Sequence, residues 1–296
     1  MTNNENLAPA KEEKGKVKGV AIITGANGCM GYEEAKAVAE AGYHVIMACY
    51  SPKLAEVKLK KMKEETGSDE IEIIGIDLAN LSSVRKFADE VKSRFTRIDL
   101  LMNNAGTMET GFHPTVDGLE RTISVNYVGP YLLTRLLLPL MGEGSRIVNM
   151  SSCIYWFGRL HFPEFFEKGR KGCFHRVFVY GNSKLAITLF TFELAKRVKD
   201  RGITVNAADP GVVNTDILTM QMWFDPLTDV LFRPFARSPR KGADTAIHLL
   251  LDEEKAGQTG TFNRSNHIHK LSKKYEEHKQ MLELWEETEK VVKEFL

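Results

Sequence analysis

Val20-Ala21-Ile22-Ile23-Thr24-Gly25-Ala26-Asn27-Gly28-Cys29-Met30-Gly31 reads as a short apolar strand running straight into a glycine-rich turn. Glycines at a strand-to-helix junction let the backbone come close to an anion, and the dipole at the start of the following helix favours negative charge there. A glycine-rich turn by itself signals only a tight turn. Its place directly after a β-branched strand makes it a candidate pyrophosphate cradle.

Outward from that turn the same alternation repeats. Runs at Val20 to Ile23, His44 to Ala48, Ile71 to Ile76, Leu100 to Met102, Arg146 to Met150 and Thr204 to Ala207 read as successive strands. Each pair is separated by enough chain for a crossover helix, which parallel strands require. The pattern predicts an α/β fold, a doubly wound parallel sheet in a single domain over residues 19–265. In such sheets ligands bind beyond the carboxyl ends of the strands. Candidate chemistry sits there repeatedly: Asn103-Asn104-Ala105-Gly106 after the fourth strand, Ser151-Ser152 after the fifth, Pro210-Gly211 after the sixth.

Tyr180-Gly181-Asn182-Ser183-Lys184 places a phenol and an ammonium four residues apart, on one face of a helix. A phenol is a poor base near neutral pH, with an ordinary pKa of about 10, and a nearby positive charge stabilises its phenolate. Such pairs are also common on ordinary helices. The candidate cradle, Asn126 and Ser152 give this pair chemical meaning.

The 296 residues carry 40 basic and 39 acidic side chains, for a net charge of +1, with 43% apolar and 27% charged residues. These are values of a soluble globular protein. No basic run interleaved with aromatics suggests a nucleic-acid groove. The apolar stretch from Tyr127 to Met141 is interrupted and falls short of the roughly 20 residues of a membrane span. Residues 1–18, polar and lysine-rich, read as a flexible tail rather than a secretory signal. Cys29, Cys49, Cys153 and Cys173 show no metal-binding spacing, and His161 and His175 have no third ligand, so no metal is expected and the cytoplasm is the expected location.

Together, Thr24-Gly25, Gly31, Asn103 to Gly106, Ser124-Val125-Asn126-Tyr127, Ser152, Tyr180 and Lys184 resemble the short-chain dehydrogenase/reductase family, over roughly residues 17–265. The resemblance implies a Rossmann-type fold and an NAD(P)-dependent oxidoreductase acting on alcohols. It implies catalytic roles for Ser152, Tyr180 and Lys184: the serine holds the carbonyl oxygen, the tyrosine exchanges the proton, and the lysine lowers the phenol pKa and binds the nicotinamide ribose. It also implies a water held by Asn126 and leading to Lys184. Ser151 competes for the serine role, which the family assigns to the second residue of the pair.

For the cofactor, the resemblance implies contacts from Gly25, Asn27, Gly28, Cys29, Met30 and Gly31, from Asp77 and Leu78, and from Asn104, Ala105 and Gly106. Tyr180, Lys184, Pro210, Gly211, Val213 and Thr215 complete the set. Cys29 stands where the family's middle glycine belongs, which puts cofactor affinity in question. Asp77 has a second reading, as the cap of a helix around Ser82 to Lys92. Tyr50 and Ser51 end the second strand, and no acid follows to hold the ribose 2′-hydroxyl of NAD. NADP is therefore favoured over NAD, with Lys53 near enough to meet a phosphate or simply solvated.

Ser152 and Tyr180 are 28 residues apart, a longer separation than is common in the family. The resulting insertion resembles retinol dehydrogenases and wide-substrate members. It is dense in aromatics: Tyr155, Trp156, Phe157, Phe162, Phe165, Phe166, Phe174 and Phe178. With Ile217, Leu218, Met220, Met222, Trp223, Phe224 and Leu227 these residues either wall a pocket for a bulky apolar alcohol or ketone, or anchor the insertion to the body. Residues 266–296, with Leu271, Tyr275, Leu282, Trp285, Val292 and Leu296 at helical spacing, predict a C-terminal amphipathic helix. The family resemblance implies pairing through the helices around Asn126 to Met141 and Tyr180 to Val198, whose broad apolar faces agree, and a homodimer or homotetramer is expected. The competing function is a nucleotide-sensing or binding protein without turnover, suggested by Cys29.

Overall fold

The computed structural model describes residues 17–162, 164–167, 172, 174–213 and 237–296. An eight-stranded sheet runs through it in the order β3-β2-β1-β4-β5-β6-β7-β8. The strands are β1 (Val20–Thr24), β2 (His44–Cys49), β3 (Ile71–Gly75), β4 (Leu100–Asn103), β5 (Arg146–Met150), β6 (Thr204–Asp209), β7 (Phe262–Arg264) and β8 (His267–Ile268). All neighbours are parallel except the β7–β8 hairpin. Strand order reverses between β1 and β4, so the crevice for a ligand opens above that pair.

The six anticipated strands are present. β7 and β8 were not anticipated: three and two residues long, they are too short to show periodicity, and β7 is recruited by pairing with β6, Ala207 opposite Phe262 and Asp209 opposite Arg264. This hairpin crosses the boundary drawn at residue 265.

Alternation along the strands feeds two cores. Ile22 and Ile46 face one side, while Ala21, Ile23, Val45 and Met47 face the other. A sheet buried on both faces reads as nearly continuous apolar runs. Helices α1 (Cys29–Glu40) and α2 (Pro52–Thr66) help cover the second face, joined by α7 (Pro239–Leu251). The first face carries α3 (Leu81–Arg94), α5 (Gly129–Leu137) and α6 (Arg176–Arg197). A short α4 (Arg121–Ile123) leads into a π-helical segment, Ser124–Val128, just before α5. Such widened turns often occur at functional sites.

The C-terminal region is not one helix. It forms α8 (Lys273–Glu276), then α9 (Met281–Val292) and a last 3₁₀ turn, and Leu282 and Leu296 are exposed. α9 lies across α5 and α6. Tyr127 Oη and Thr288 Oγ1 are hydrogen-bonded at 2.7 Å, Tyr131 donates to Glu289, and Arg135 pairs with Glu289. Trp285 packs against Tyr131 and Phe190 with the Arg197 guanidinium over its ring, 4.1 Å from the centroid. Tyr127, Tyr131 and Phe190 are thus buried within the single chain. The apolar helix faces on which subunit pairing was expected are covered from inside at these residues.

The aromatic insertion divides. Phe165 and Phe166 are buried, meeting Phe162 at tilted angles and each other edge to face, and Phe165 also meets Tyr127. Tyr155 lies between Phe262 and Tyr275. These rings anchor the insertion. Phe157, Phe178 and Val179, with Arg159, His161, His175 and Asn182, instead line a cavity of about 280 Å³. Phe178 and Asn182 lie on the face of α6 turned away from Tyr180, because successive helix residues are about 100° apart, and His175 precedes that helix.

Candidate active site

The glycine turn is built by contacts that admit no side chain. Gly25 adopts φ +66°, and a Cβ on Gly31 would lie 2.4 Å from the Gly25 carbonyl oxygen and 2.6 Å from Asn104 Nδ2. Thr24 ties this turn to the segment after β4: its Oγ1 accepts from the backbone N–H groups of Asn104 and Ala105, both at 3.0 Å, and its carbonyl accepts from Asn104 Nδ2 at 2.9 Å. Below, Asn103 Nδ2 donates to Thr134 and Asn149, and Asn149 donates to Thr191, which locks β4 and β5 to α5 and α6.

Gly28 caps α1 without a side-chain acceptor, so the first-turn N–H groups face the crevice without an intrahelical partner. Gly25, Asn27, Gly28, Cys29, Met30, Gly31, Tyr50, Asn104, Ala105 and Gly106 line a cavity of about 340 Å³. A neighbouring cavity of about 210 Å³ is bordered by Tyr50, Ile76, Asp77, Leu78, Thr107 and Arg121 and shares Gly25, Asn27 and Ala105 with the first. The bare cradle, the free helix start and the adjoining cavity fit a dinucleotide. Cys29 is the first residue of α1 and is exposed at the rim, so its thiol borders the cavity without closing the turn.

Asp77 does not cap the next helix. Asn80 does, accepting from the Ser83 N–H at 3.2 Å, while Asp77 Oδ1 accepts from Ala79 N–H at 2.9 Å. Tyr50, 69% exposed, follows β2 at the cavity edge, and Ser51 precedes α2 as its N-cap residue without using its hydroxyl as a cap.

At the other end of the crevice, Ser152, Tyr180, Lys184 and Asn126 come together. Ser151 is buried and bonded to Thr188 at 2.6 Å, so its hydroxyl serves the core. Ser152 caps the 3₁₀ turn Cys153–Phe157, and its hydroxyl is near enough to the Tyr180 phenol to pull the phenol pKa down. A Cβ at Gly106 would be 3.4 Å from Asn126 Oδ1 and 3.7 Å from Lys184 Nζ, which places both beside one bare backbone position. Asn126 clamps Thr107: its Oδ1 accepts from the Thr107 N–H at 2.8 Å and its Nδ2 donates to the Thr107 carbonyl at 2.9 Å and to Ser183 at 3.0 Å. Both ends of the side-chain amide thereby hold protein groups.

Lys184 is 3% exposed, donates to the Met150 carbonyl at 2.9 Å, and stands 5.5 Å from the centroid of the Tyr180 ring. Burial drives its pKa down to about 8, against an upward pull from Asp209. Burial likewise raises the Tyr180 phenol, with Ser152 pulling it down and Cys153 and Asp209 adding to the rise. The lowering of the phenol by Lys184 that the residue spacing suggested does not appear in this geometry. Desolvation outweighs an ammonium whose own charge burial disfavours. The phenol consequently carries its proton at neutral pH.

Pro210, Gly211 and Val213 follow β6, with Gly211 at φ +72°. Val213 pairs with Arg237, and Arg237 N–H donates to the Val212 carbonyl at 2.8 Å. Thr215, together with Trp223 and the rest of the apolar run from Ile217 to Leu227, lies outside the described residues. Sequence reading missed Asp209 and Arg264, which form an ion pair at this end of the sheet. An aspartate directly after the sixth strand was visible; its partner, delivered by β7, was not.

The family model described as short chain dehydrogenase matches residues 19–165 and 167–222. Human retinol dehydrogenase 11 is 36% identical over 241 residues, covering 79% of this chain and 73% of that protein. Human polyprenol dehydrogenase is 34% identical over 252 residues, covering 82% and 76%. A crystal structure of an uncharacterized protein from Mycobacterium paratuberculosis superposes with a TM-score of 0.76 at 28% identity, covering 94% of each chain. With the reversed strand order, the bare glycine cradle and the grouped serine, tyrosine and lysine, these matches have one meaning: the chain belongs to the short-chain dehydrogenase family, as an NAD(P)-dependent oxidoreductase acting on CH–OH groups.

Proposed function

We propose that this oxidoreductase interconverts a secondary alcohol and a ketone on a bulky apolar compound, steroid- or retinoid-like, with NADP favoured over NAD. The observation that carries the reading is the meeting of Ser152, Tyr180 and Lys184 at the crevice that also holds the glycine cradle. When bound, the dinucleotide supplies or accepts the hydride. Gly25 to Gly31 and the start of α1 would hold its pyrophosphate, Asp77 and Leu78 its adenine side, and Lys184 its nicotinamide ribose.

Tyr180 holds the proton to be exchanged with the substrate oxygen. Ser152 donates to that oxygen as charge develops on it. Lys184, fixed by Met150, presents its charge below the phenol, and Asn126 shapes the floor by fixing Thr107. A phenol that keeps its proton suits donation to a carbonyl oxygen, the reductive direction. NADP is supported by the absence of an acid directly after β2 and in the first turn of α2, and by Lys53 in that turn.

Support for an apolar substrate comes from relatives named for retinol and polyprenol and from the apolar composition of residues 217–227. The buried half of the aromatic insertion serves packing and lends no support. Pairing into a homodimer or homotetramer then uses a surface other than the α5 and α6 residues that α9 covers.

The test is Tyr180→Phe in the full chain. Turnover of apolar ketones falls by about 10² to 10⁴, the range of a lost general acid, while NADPH still binds by nicotinamide fluorescence. Undiminished turnover removes Tyr180 from the reaction; absence of NADPH and NADH binding in the unaltered chain favours a protein without turnover.

A further inference from the structure

Asp209, the last residue of β6, is wholly buried and has no role of its own in the site read above. Its Oδ2 accepts a hydrogen bond from Arg264 Nε at 2.8 Å and lies 2.6 Å from Nη2 of the same guanidinium in an ion pair. Its Oδ1 accepts from the Gly211 N–H at 3.0 Å. The two residues are register partners across β6 and β7, so the sheet itself brings the charges together. The guanidinium therefore holds one carboxylate oxygen and the Gly211 N–H the other, and the two anchors together fix the orientation of the carboxylate.

The register also ties this pair to the site. Ala208, one residue before Asp209, is opposite Met150, whose carbonyl holds Lys184 Nζ, and the Ala208 carbonyl accepts from Ser151 N–H at 2.8 Å. Asp209 therefore continues β6 alongside Ser151 and Ser152. On the far side, the Arg237 guanidinium lies against Gly211 and donates to Ser265 at 2.8 Å.

We propose that Asp209 is a positioning residue for Lys184: its buried negative charge keeps the lysine ammonium charged at the base of the site, and Arg264 fixes the carboxylate and sets how much of that charge the lysine feels. The proposal rests on Lys184 belonging to the site as read above. A buried ammonium without a counter-charge loses its proton readily. Asp209 is the group that draws the Lys184 pKa back up against burial. The groups facing the pair are Tyr180 on α6, Cys153 and Tyr155 after β5, and Arg264 on β7, with Asp209 acting on Tyr180, Cys153 and Tyr155, and Arg264 opposing it at Cys153 and Tyr155. Because Arg264 carries the opposite charge, removing each partner must move Lys184 in opposite directions.

That opposition is the test. The full chain, free of cofactor, is labelled with ¹³C at the lysine ε-carbon, and the Lys184 signal is identified by its loss in Lys184→Met. In the unaltered protein it titrates at about 8. Asp209→Asn lowers that midpoint by about one pH unit, Arg264→Gln raises it, and Arg264→Lys leaves it in place. Midpoints that stay fixed, or that move the same way in both charge-removing variants, overturn the proposal, since loosening of the fold alone has no reason to shift a titration in opposite directions. Should Asp209→Asn fail to fold, the contrast between Arg264→Gln and Arg264→Lys decides by itself. The pH profile of turnover is recorded on the same variants: midpoints that shift by NMR without moving the profile support the charge coupling and instead remove Lys184 from the rate-determining chemistry.

Discussion

Replacing Lys184 by Met removes a charge that the fold holds at a cost. The ammonium is 3% exposed and its pKa falls from the ordinary 10.5 to about 8. At about 1.4 kcal/mol per pH unit, that fall corresponds to roughly 3 kcal/mol of native-state destabilisation whenever the lysine is charged in both states, that is, below about pH 8. The sign follows from proton counting. Between about 8 and 10.5 the unfolded chain keeps the proton and the native chain has released it, so wild-type stability rises with pH across that window. Methionine of similar length fills the channel without charge, but it leaves the Met150 carbonyl without its 2.9 Å donor, which takes back about 1 to 3 kcal/mol. The expected result in urea denaturation at neutral pH is a variant between equal in stability and about 2 kcal/mol more stable than wild type, and devoid of turnover. The wild type then gains on it by roughly 1.4 kcal/mol per pH unit once pH passes about 8. A stability difference that is constant with pH across this window would refute the assignment of a desolvated ammonium at Lys184.

Glu34, in α1, is fully buried with neither carboxylate oxygen bonded to any described residue, and burial raises its pKa from 4.5 to about 8. An acid raised this way takes up its proton on folding, so its contribution to stability falls as pH climbs through that interval. Glu34→Gln should abolish a decline of roughly 1.4 kcal/mol per pH unit, read from urea midpoints; identical pH slopes for both proteins would rule out the buried neutral carboxyl. Gly31→Ala forces a methyl to within 2.4 Å of the Gly25 carbonyl oxygen and 2.6 Å of Asn104. NADPH affinity should drop at least about tenfold while unfolding stays cooperative, with about 1 to 3 kcal/mol lost to overpacking; unchanged affinity would place the cofactor away from this turn. Truncation after Gln280 removes α9 and uncovers Tyr127, Tyr131 and Phe190, three rings that favour burial. Sedimentation should then show association or aggregation beyond that of the full chain, and an unaltered mass with unaltered stability would mean that α9 covers nothing essential.

The sequence alone determined the sheet and the grouping of its chemistry. Strands buried on both faces must be apolar throughout, crossover helices must separate them, and bare backbone near an anion requires glycine. Those constraints are local, so Val20 to Thr24, the turn to Gly31, and the tyrosine and lysine one helical turn apart were legible without coordinates. Tertiary structure decided what depends on distant partners. Asn80 rather than Asp77 caps α3, because the choice turns on which side chain reaches Ser83. Phe165 and Phe166 pack inward while Trp156 and Phe178 stay exposed, although all four belong to one aromatic run. The α5 and α6 faces looked free for a subunit until α9, from the far end of the chain, was seen lying on them. Desolvation of Tyr180 and Lys184, and the Asp209–Arg264 pair beside them, depend on how deeply the whole fold buries those groups and on a three-residue strand that exists only by pairing with β6. Spacing along a chain fixes which groups can share a helix face; burial and counter-charge, which set their protonation, are properties of the packed molecule.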